Sequence, residues 1–175
     1  SLGILYYSEK GENSDIIVIK EFINYLKGKE SKLKLLVNEV RSKFEKKLYK
    51  KLLPWYMFGK LKGLHVEIDS PPYFRGKDCL ELMNGILDCH SIISSRYHSV
   101  LAAAYAGCRV GVIARSSKLE WLAKDLNLPF VSLPITLEKL IYLYDSAAVC
   151  EKNALDKAQT RVYSAIDDIK KIFIS

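Results

Sequence analysis

Short apolar runs alternate with helical patterns along most of the 175-residue chain. The runs within Ser91 to Ser94, Val110 to Ala114 and Phe130 to Leu133 do not alternate polar with apolar residues. Such runs are typical of parallel strands that are covered on both faces. The order strand, helix, strand, helix therefore predicts an α/β, Rossmann-like domain of three layers, with a mostly parallel sheet of about six strands.

No internal repeat or linker divides the chain, so we predict a single domain over residues 1–175. The predicted strands are Leu2 to Tyr7, Leu33 to Val37, Leu64 to Ile68, Ser91 to Ser94, Val110 to Ala114 and Phe130 to Leu133. The predicted helices are Ser14 to Leu26, Arg41 to Tyr56, Asp78 to Leu87, Tyr97 to Ala106, Lys118 to Leu126, Leu137 to Tyr144 and Asn153 to Ile172. Gly28 stands where the helix Ser14 to Leu26 should end, and Gly107 stands where the helix Tyr97 to Ala106 should end.

Charge and cysteine content narrow the class of protein. A net charge of +7 and a pI near 9.1 favour anionic partners. The four cysteines form no Cys-x-x-Cys pair, which favours free thiols in a reducing compartment and hence a cytoplasmic location. Cys89 and His90 are adjacent without ligand spacing, so we predict no metal site.

The candidate site follows from the sheet. In an open parallel sheet, ligands bind at the carboxyl ends of the strands. Residues with hydroxyl or charged side chains follow the fourth and fifth strands. They stand where the next helix begins, so they lie close to the free N–H groups of its first turn. We predict an anion site there, with further contacts after the first strand. Its candidate residues are Ser95, Arg96, His98, Arg115, Ser116, Ser117 and Lys118, with Ser8 and Glu9.

These residues also have structural explanations. Ser117 and Glu120 fit a capping box. In the structural alternative, Arg96 forms an ion pair with Asp88, and His98 is an ordinary surface residue. Capping does not explain the cations, because the positive end of a helix is a poor place for them unless an anion binds there.

The stretch "ILDCHSIISSRYHSVLAAAYAGCRVGVIARSSKLEWLAKDLNLPFV" resembles the C-terminal domain of the polysaccharide pyruvyl transferase family. The shared pattern is Asp88, an apolar strand, Arg96-x-His98 opening a small-residue helix, Gly107 before the next strand, and a turn over residues 126–129. It covers about a quarter of the chain.

The resemblance implies a two-domain GT-B enzyme, of which this chain is the C-terminal domain. The missing N-terminal domain would supply other active-site residues, and the isolated chain is expected to be inactive. Such enzymes move the enolpyruvyl group of phosphoenolpyruvate onto a sugar, usually forming a cyclic ketal. Arg96 would hold the donor, His98 would carry the proton, and no cofactor is implied. The acceptor would be a saccharide of a cell-surface polysaccharide or a lipid-linked precursor.

Two positions depart from the family pattern. Tyr97 stands where an aliphatic residue is usual. Ala114 to Ser117 stand where many members have an aromatic residue and an acid. Two other functions remain open: a GT-B glycosyltransferase that uses a nucleotide sugar, and a non-catalytic module that binds a membrane or a partner.

A basic segment, Arg41 to Gly63, holds eight Lys or Arg and one acid, Glu45. Its apolar stripe indicates a helix packed on the sheet. The alternative is peripheral contact between Arg41 to Lys62 and the anionic inner face of the cell membrane. No nucleic-acid-binding motif accompanies the charge, so we predict no nucleic-acid partner.

Overall fold

The computed structural model describes residues 1–6, 13–30, 32–36, 65–69, 84–161 and 164. The strands are β1 (Leu2–Leu5), β2 (Lys32–Leu36), β3 (His65–Asp69), β4 (Ser91–Ser94), β5 (Arg109–Ala114), β6 (Phe130–Ser132) and β7 (Ala148–Val149). The helices are α1 (Asn13–Leu26), α2 (Tyr97–Tyr105), α3 (Ser117–Asp125) and α4 (Leu137–Ser146). Residues 84–87 and 152–161 are also helical.

The strands form one sheet in the order β3-β2-β1-β4-β5-β6, and all five pairings along this path are parallel. The predicted Rossmann-like α/β fold with a mostly parallel six-stranded sheet is therefore confirmed. The short β7, which the sequence pattern did not predict, pairs antiparallel with the start of β5. The chain builds outward from β1 to β3 and then returns to place β4 on the other side of β1, so a topological switch point lies between β1 and β4.

Helices cover both faces of the sheet and give two hydrophobic cores. One core packs α1 and α4 against one face, and the other packs α2 and α3 against the opposite face. Ile93 belongs to the first core and its neighbour Ile92 to the second. Both residues are fully buried. This double burial explains why the strand runs are continuously apolar.

α2 and α3 end in the same way. Each is nine residues long and is followed by a residue with positive φ, 74° at Gly107 and 52° at Asn127. The next residue in each case donates its N–H to the carbonyl five positions earlier, at 3.0 Å and 2.8 Å. These are Schellman motifs, which confirm Gly107 as the stop of α2.

None of the helices in the described ranges is both long enough and apolar enough to cross a membrane. The predicted helix Arg41 to Tyr56, the basic segment that contains it, and Cys79 lie outside the described residues.

Candidate functional site

The β4–α2 turn lies at the switch point. β4 pairs with β1 on one side, with Ser94 opposite Leu5, and with β5 on the other. Ser95 and Arg96 therefore leave the sheet where a Rossmann-like fold opens a crevice at the carboxyl edge. This is the edge that the sequence predicted for the candidate site.

The backbone of this turn is fixed by the side chain of Ser94. Its Oγ, which is fully buried, accepts the N–H of Arg96 at 3.0 Å. Arg96 is extended (φ −108°, ψ 125°) and is the N-cap of α2, and its carbonyl accepts the N–H of Val100 at 3.0 Å. Among the described residues, no side chain caps α2, and its first turn carries no acid. The first N–H groups of α2 therefore face the carboxyl edge without an intrahelical acceptor.

The β5–α3 turn has a similar design. The N-cap is Ser116 (φ −149°, ψ 158°), whose carbonyl accepts the N–H groups of Leu119 and Glu120 at 3.0 and 3.1 Å. α3 begins at Ser117, one residue before the predicted start. The capping-box explanation of Ser117 is wrong, because this residue lies inside the helix. Glu120 pairs instead with Lys124, with Oε1 and Nζ 2.6 Å apart.

The two turns contact each other. Arg115 donates from Nε to the carbonyl oxygen of Ser95 at 3.0 Å. Lys118 places its ammonium 4.2 Å from the centroid of the Tyr97 ring. Because β4 and β5 are neighbours in the sheet, the residues predicted after both strands come together at one place.

The exposure of these side chains differs. His98 is exposed, and its ring meets the Tyr97 ring edge-on, with centroids 5.7 Å apart at 84°. Arg96, Tyr97 and Arg115 are half-buried, whereas Ser95 is fully buried. The imidazole of His98 is therefore accessible to a bound molecule and to water.

Asp88 lies at the opposite edge of the sheet, before β4 begins. Its Oδ2 is 2.7 Å from the Nζ of Lys34, a buried ammonium. The hydrogen bond from Lys34, reinforced by the charge of that ammonium, lowers the pKa of Asp88. The alternative pairing of Arg96 with Asp88 is therefore wrong, because β4 separates the two residues.

Sequence reasoning missed two contacts at this edge. The sequence marks Tyr97 only as a departure from the family pattern, and its contact with Lys118 depends on the pairing of β4 with β5. Tyr6, just after β1, donates its hydroxyl to Oδ2 of Asp15 at 2.8 Å, and both residues are buried. This bond ties the first turn of α1 to the end of β1.

The other features considered from the sequence, which are Ser8, Glu9, the basic segment and the cysteines, add no contact to this site among the described residues. Ser8, Glu9 and the basic segment lie outside the described residues. The three described cysteines are free and buried, and burial raises the pKa of Cys89 to about 11, so its thiol is a poor nucleophile or ligand at neutral pH. The described ranges contain no group of three or more His, Cys, Asp or Glu side chains that could hold a metal ion.

Comparisons of the chain with protein-family models, with curated proteins and with solved structures gave no match in any of the three.

Proposed function

We propose that this chain is a pyruvyl transferase domain that binds phosphoenolpyruvate at the paired starts of α2 and α3. The observation that carries the proposal is the contact between the two turns, which gathers Arg96, His98, Arg115 and Lys118 at two helix N-termini. The positive ends of helices attract anions, and cationic side chains placed at those ends strengthen the attraction. A ligand with both a phosphate and a carboxylate suits two such turns in contact.

The residues supply the chemistry that such a transfer needs. Arg96 follows the buried Ser94–Ser95 pair, and its planar guanidinium suits bidentate binding of a phosphate or carboxylate. The first N–H groups of α2 and α3 add neutral donors. Imidazoles are common proton carriers near neutral pH, and the side chain of His98 is exposed, so it suits proton transfer.

The reaction balances without a cofactor. A proton adds to the methylene carbon of phosphoenolpyruvate, and the neighbouring carbon becomes electron-poor. One sugar hydroxyl forms a C–O bond to that carbon and loses its proton. A second hydroxyl forms the other C–O bond and displaces inorganic phosphate, which takes up the proton that this hydroxyl loses, and the ketal closes. His98 would deliver or accept one of these protons, while Arg96 would hold the anionic donor.

The resemblance to the pyruvyl transferase family supports the choice of donor, since Arg96 and His98 stand where its Arg-x-His pattern stands. A nucleotide sugar offers a diphosphate to the same helix ends, which is the chemistry of the glycosyltransferase alternative. Calorimetric titration of the chain with phosphoenolpyruvate and with UDP-glucose separates the two. Preferential binding of UDP-glucose would favour the glycosyltransferase, and binding of neither would favour the non-catalytic module.

Two substitutions test the assigned roles. We expect Arg96→Ala to weaken phosphoenolpyruvate binding about 10- to 100-fold, as loss of a charge-assisted hydrogen bond does. We expect His98→Ala to leave that binding within a few-fold and to lower turnover by about 10²–10⁴-fold. Turnover is measured in the two-domain protein that the resemblance implies, because the isolated chain is expected to be inactive. The assay follows phosphate released from phosphoenolpyruvate, with a panel of hexose-containing oligosaccharides as acceptors.

Arg161→Ala is the matched control, because this exposed arginine pairs with Asp125 at the far end of α3. It should bind phosphoenolpyruvate as the wild type does. If Arg96→Ala and Arg161→Ala bind equally well, Arg96 does not hold the donor. If His98→Ala keeps its rate within a few-fold, His98 does not carry the proton.

A further inference from the structure

Lys118 occupies an unfavourable position in α3. It is the second residue of the helix, where the free N–H groups and the helix dipole make the surroundings positive. Glu120 is the acid of the same turn, but its carboxylate pairs with Lys124. Across the described ranges, no carboxylate lies within ion-pair distance of the Lys118 ammonium.

An aromatic ring holds this ammonium in place. Lys118 Nζ lies over the Tyr97 ring at 4.2 Å, and Tyr97 is half-buried against the core formed by α2 and α3. The ring belongs to the first residue of α2, so the ammonium of α3 is brought to the start of the neighbouring helix. A carboxylate would neutralise the lysine, whereas the face of an aromatic ring attracts a cation and leaves its charge available.

We propose that Tyr97 is a positioning residue that holds Lys118 as a second cation, beside Arg96, for an anionic group of the donor. The identity of that donor rests on the proposed function. The arrangement explains why an aromatic residue stands between Arg96 and His98, where the resemblance leads one to expect an aliphatic one. Fixing the lysine before binding lowers the entropy that would be lost when a flexible side chain closes on its ligand.

A double-mutant cycle tests the coupling, with binding of phosphoenolpyruvate and of inorganic phosphate measured by calorimetry on the whole chain. We expect Lys118→Met to weaken phosphoenolpyruvate binding about tenfold, as loss of a charge-assisted contact does. We expect Tyr97→Leu to weaken it about two- to fivefold, which is the usual strength of an exposed cation–π contact. The double variant should bind no more weakly than Lys118→Met, because Tyr97 acts only through the lysine.

Conservative and distant variants guard against a merely structural effect. Tyr97→Phe keeps the ring and should bind within about twofold of the wild type. Tyr105→Leu changes an exposed tyrosine at the other end of α2 and should have no effect. In the ligand-free wild type, the ring current of Tyr97 should shift the NMR signal of the Lys118 ε-methylene, and Tyr97→Leu should abolish that shift.

The outcomes separate the two proposals. The positioning role would be overturned by additive effects in the cycle, or by wild-type affinity in either Tyr97→Leu or Lys118→Met. In those cases, binding of phosphoenolpyruvate would still support the proposed function. A missing ring-current shift would also overturn it. Coupled binding of phosphate without binding of phosphoenolpyruvate would uphold the positioning role and contradict the proposed donor. A chain that binds neither anion would contradict both.

Discussion

Two lysines of this chain occupy opposite electrostatic situations. Lys34 is buried and its charge is balanced by Asp88 at 2.7 Å. Lys118 is exposed and rests on the ring of Tyr97, which leaves its charge available. The first arrangement stabilises the fold at the amino edge of the sheet, whereas the second presents positive charge at the carboxyl edge. A cation that stabilises the fold and the cation that we propose to bind the donor are thus distinguished by their partners and not by residue type.

The Lys34–Asp88 pair gives a prediction about pH. The pKa of Asp88 is lower in the folded chain than its ordinary value, chiefly because Lys34 donates a hydrogen bond to it. Its stabilising effect is therefore present above the ordinary carboxyl pKa of about 4 and is lost as the pH falls through the lowered folded value. Asp88→Asn should be less stable than the wild type at pH 7, and the difference should narrow towards pH 3.

Urea unfolding at several pH values measures this difference. Asp156→Asn is the control, since Asp156 is an exposed residue of the helical stretch 152–161. That variant should follow the wild type at every pH. A stability difference between Asp88→Asn and the wild type that stays constant from pH 7 to pH 3 would contradict the assigned role of the ion pair.

The sequence predicted the cations of the candidate site but not all their contacts. Arg96, Arg115 and Lys118 were found because charged residues follow predicted strands. The bond from Arg115 to the Ser95 carbonyl and the contact of Lys118 with Tyr97 could not be predicted, because both depend on which strands are neighbours. Pattern and composition fix the type of a residue at a strand end, while tertiary pairing fixes its partner.

At the scale of elements, the positions of α2 and α3 determine the geometry of the site. Both helices start at the carboxyl edge and stop in Schellman motifs at Gly107 and Asn127. Strand β5, which leads into α3, is packed closely against α4. An ideal Cβ on Gly111 would lie 3.1 Å from Leu143 Cβ and 3.2 Å from Leu143 O. The glycine therefore allows α4 to approach the strand that carries the Arg115 turn.

Gly111→Ala should lower the free energy of unfolding by about 1–3 kcal/mol, as overpacking of a core does.

Gly107 differs from Gly111 in the reason for its glycine. A Cβ at Gly107 meets nothing within 4 Å, but the φ of 74° is strained for most other residues. Gly107→Asn should cost less than Gly107→Ala, since asparagine tolerates this conformation. Gly111→Asn should cost more than Gly111→Ala. Urea-unfolding midpoints give these differences, and the same order at both positions would contradict the steric account of Gly111.

Most described element boundaries could be predicted from periodicity to within two or three residues. β3 runs from His65 to Asp69 where Leu64 to Ile68 was predicted, and α4 extends to Ser146, two residues beyond the prediction. β7 was missed because two residues cannot show a periodic pattern. The capping box at Ser117 was wrong because the chain enters α3 one residue earlier than the sequence signal suggests.

At the scale of the whole molecule, the strand order brings the two turns of the candidate site together. The alternating pattern predicted parallel strands, but it could not predict that β4 returns to the other side of β1. That return puts the Arg96 turn at the switch point, and the pairing of β5 with β4 puts the Arg115 turn beside it. The proposed membrane contact of Arg41 to Lys62 stays a prediction, since that segment lies outside the described residues.

The proposed function depends on the binding of phosphoenolpyruvate at the joined starts of α2 and α3. Amide chemical shifts of the isotope-labelled chain, followed during titration with phosphoenolpyruvate, test it most directly. We expect saturable shifts that are largest at the amides of Tyr97, His98, Ser117 and Lys118, because their N–H groups have no acceptor within the helices. Saturable shifts centred on the amino edge around Asp88 and His90, or no shifts at millimolar phosphoenolpyruvate, would contradict it.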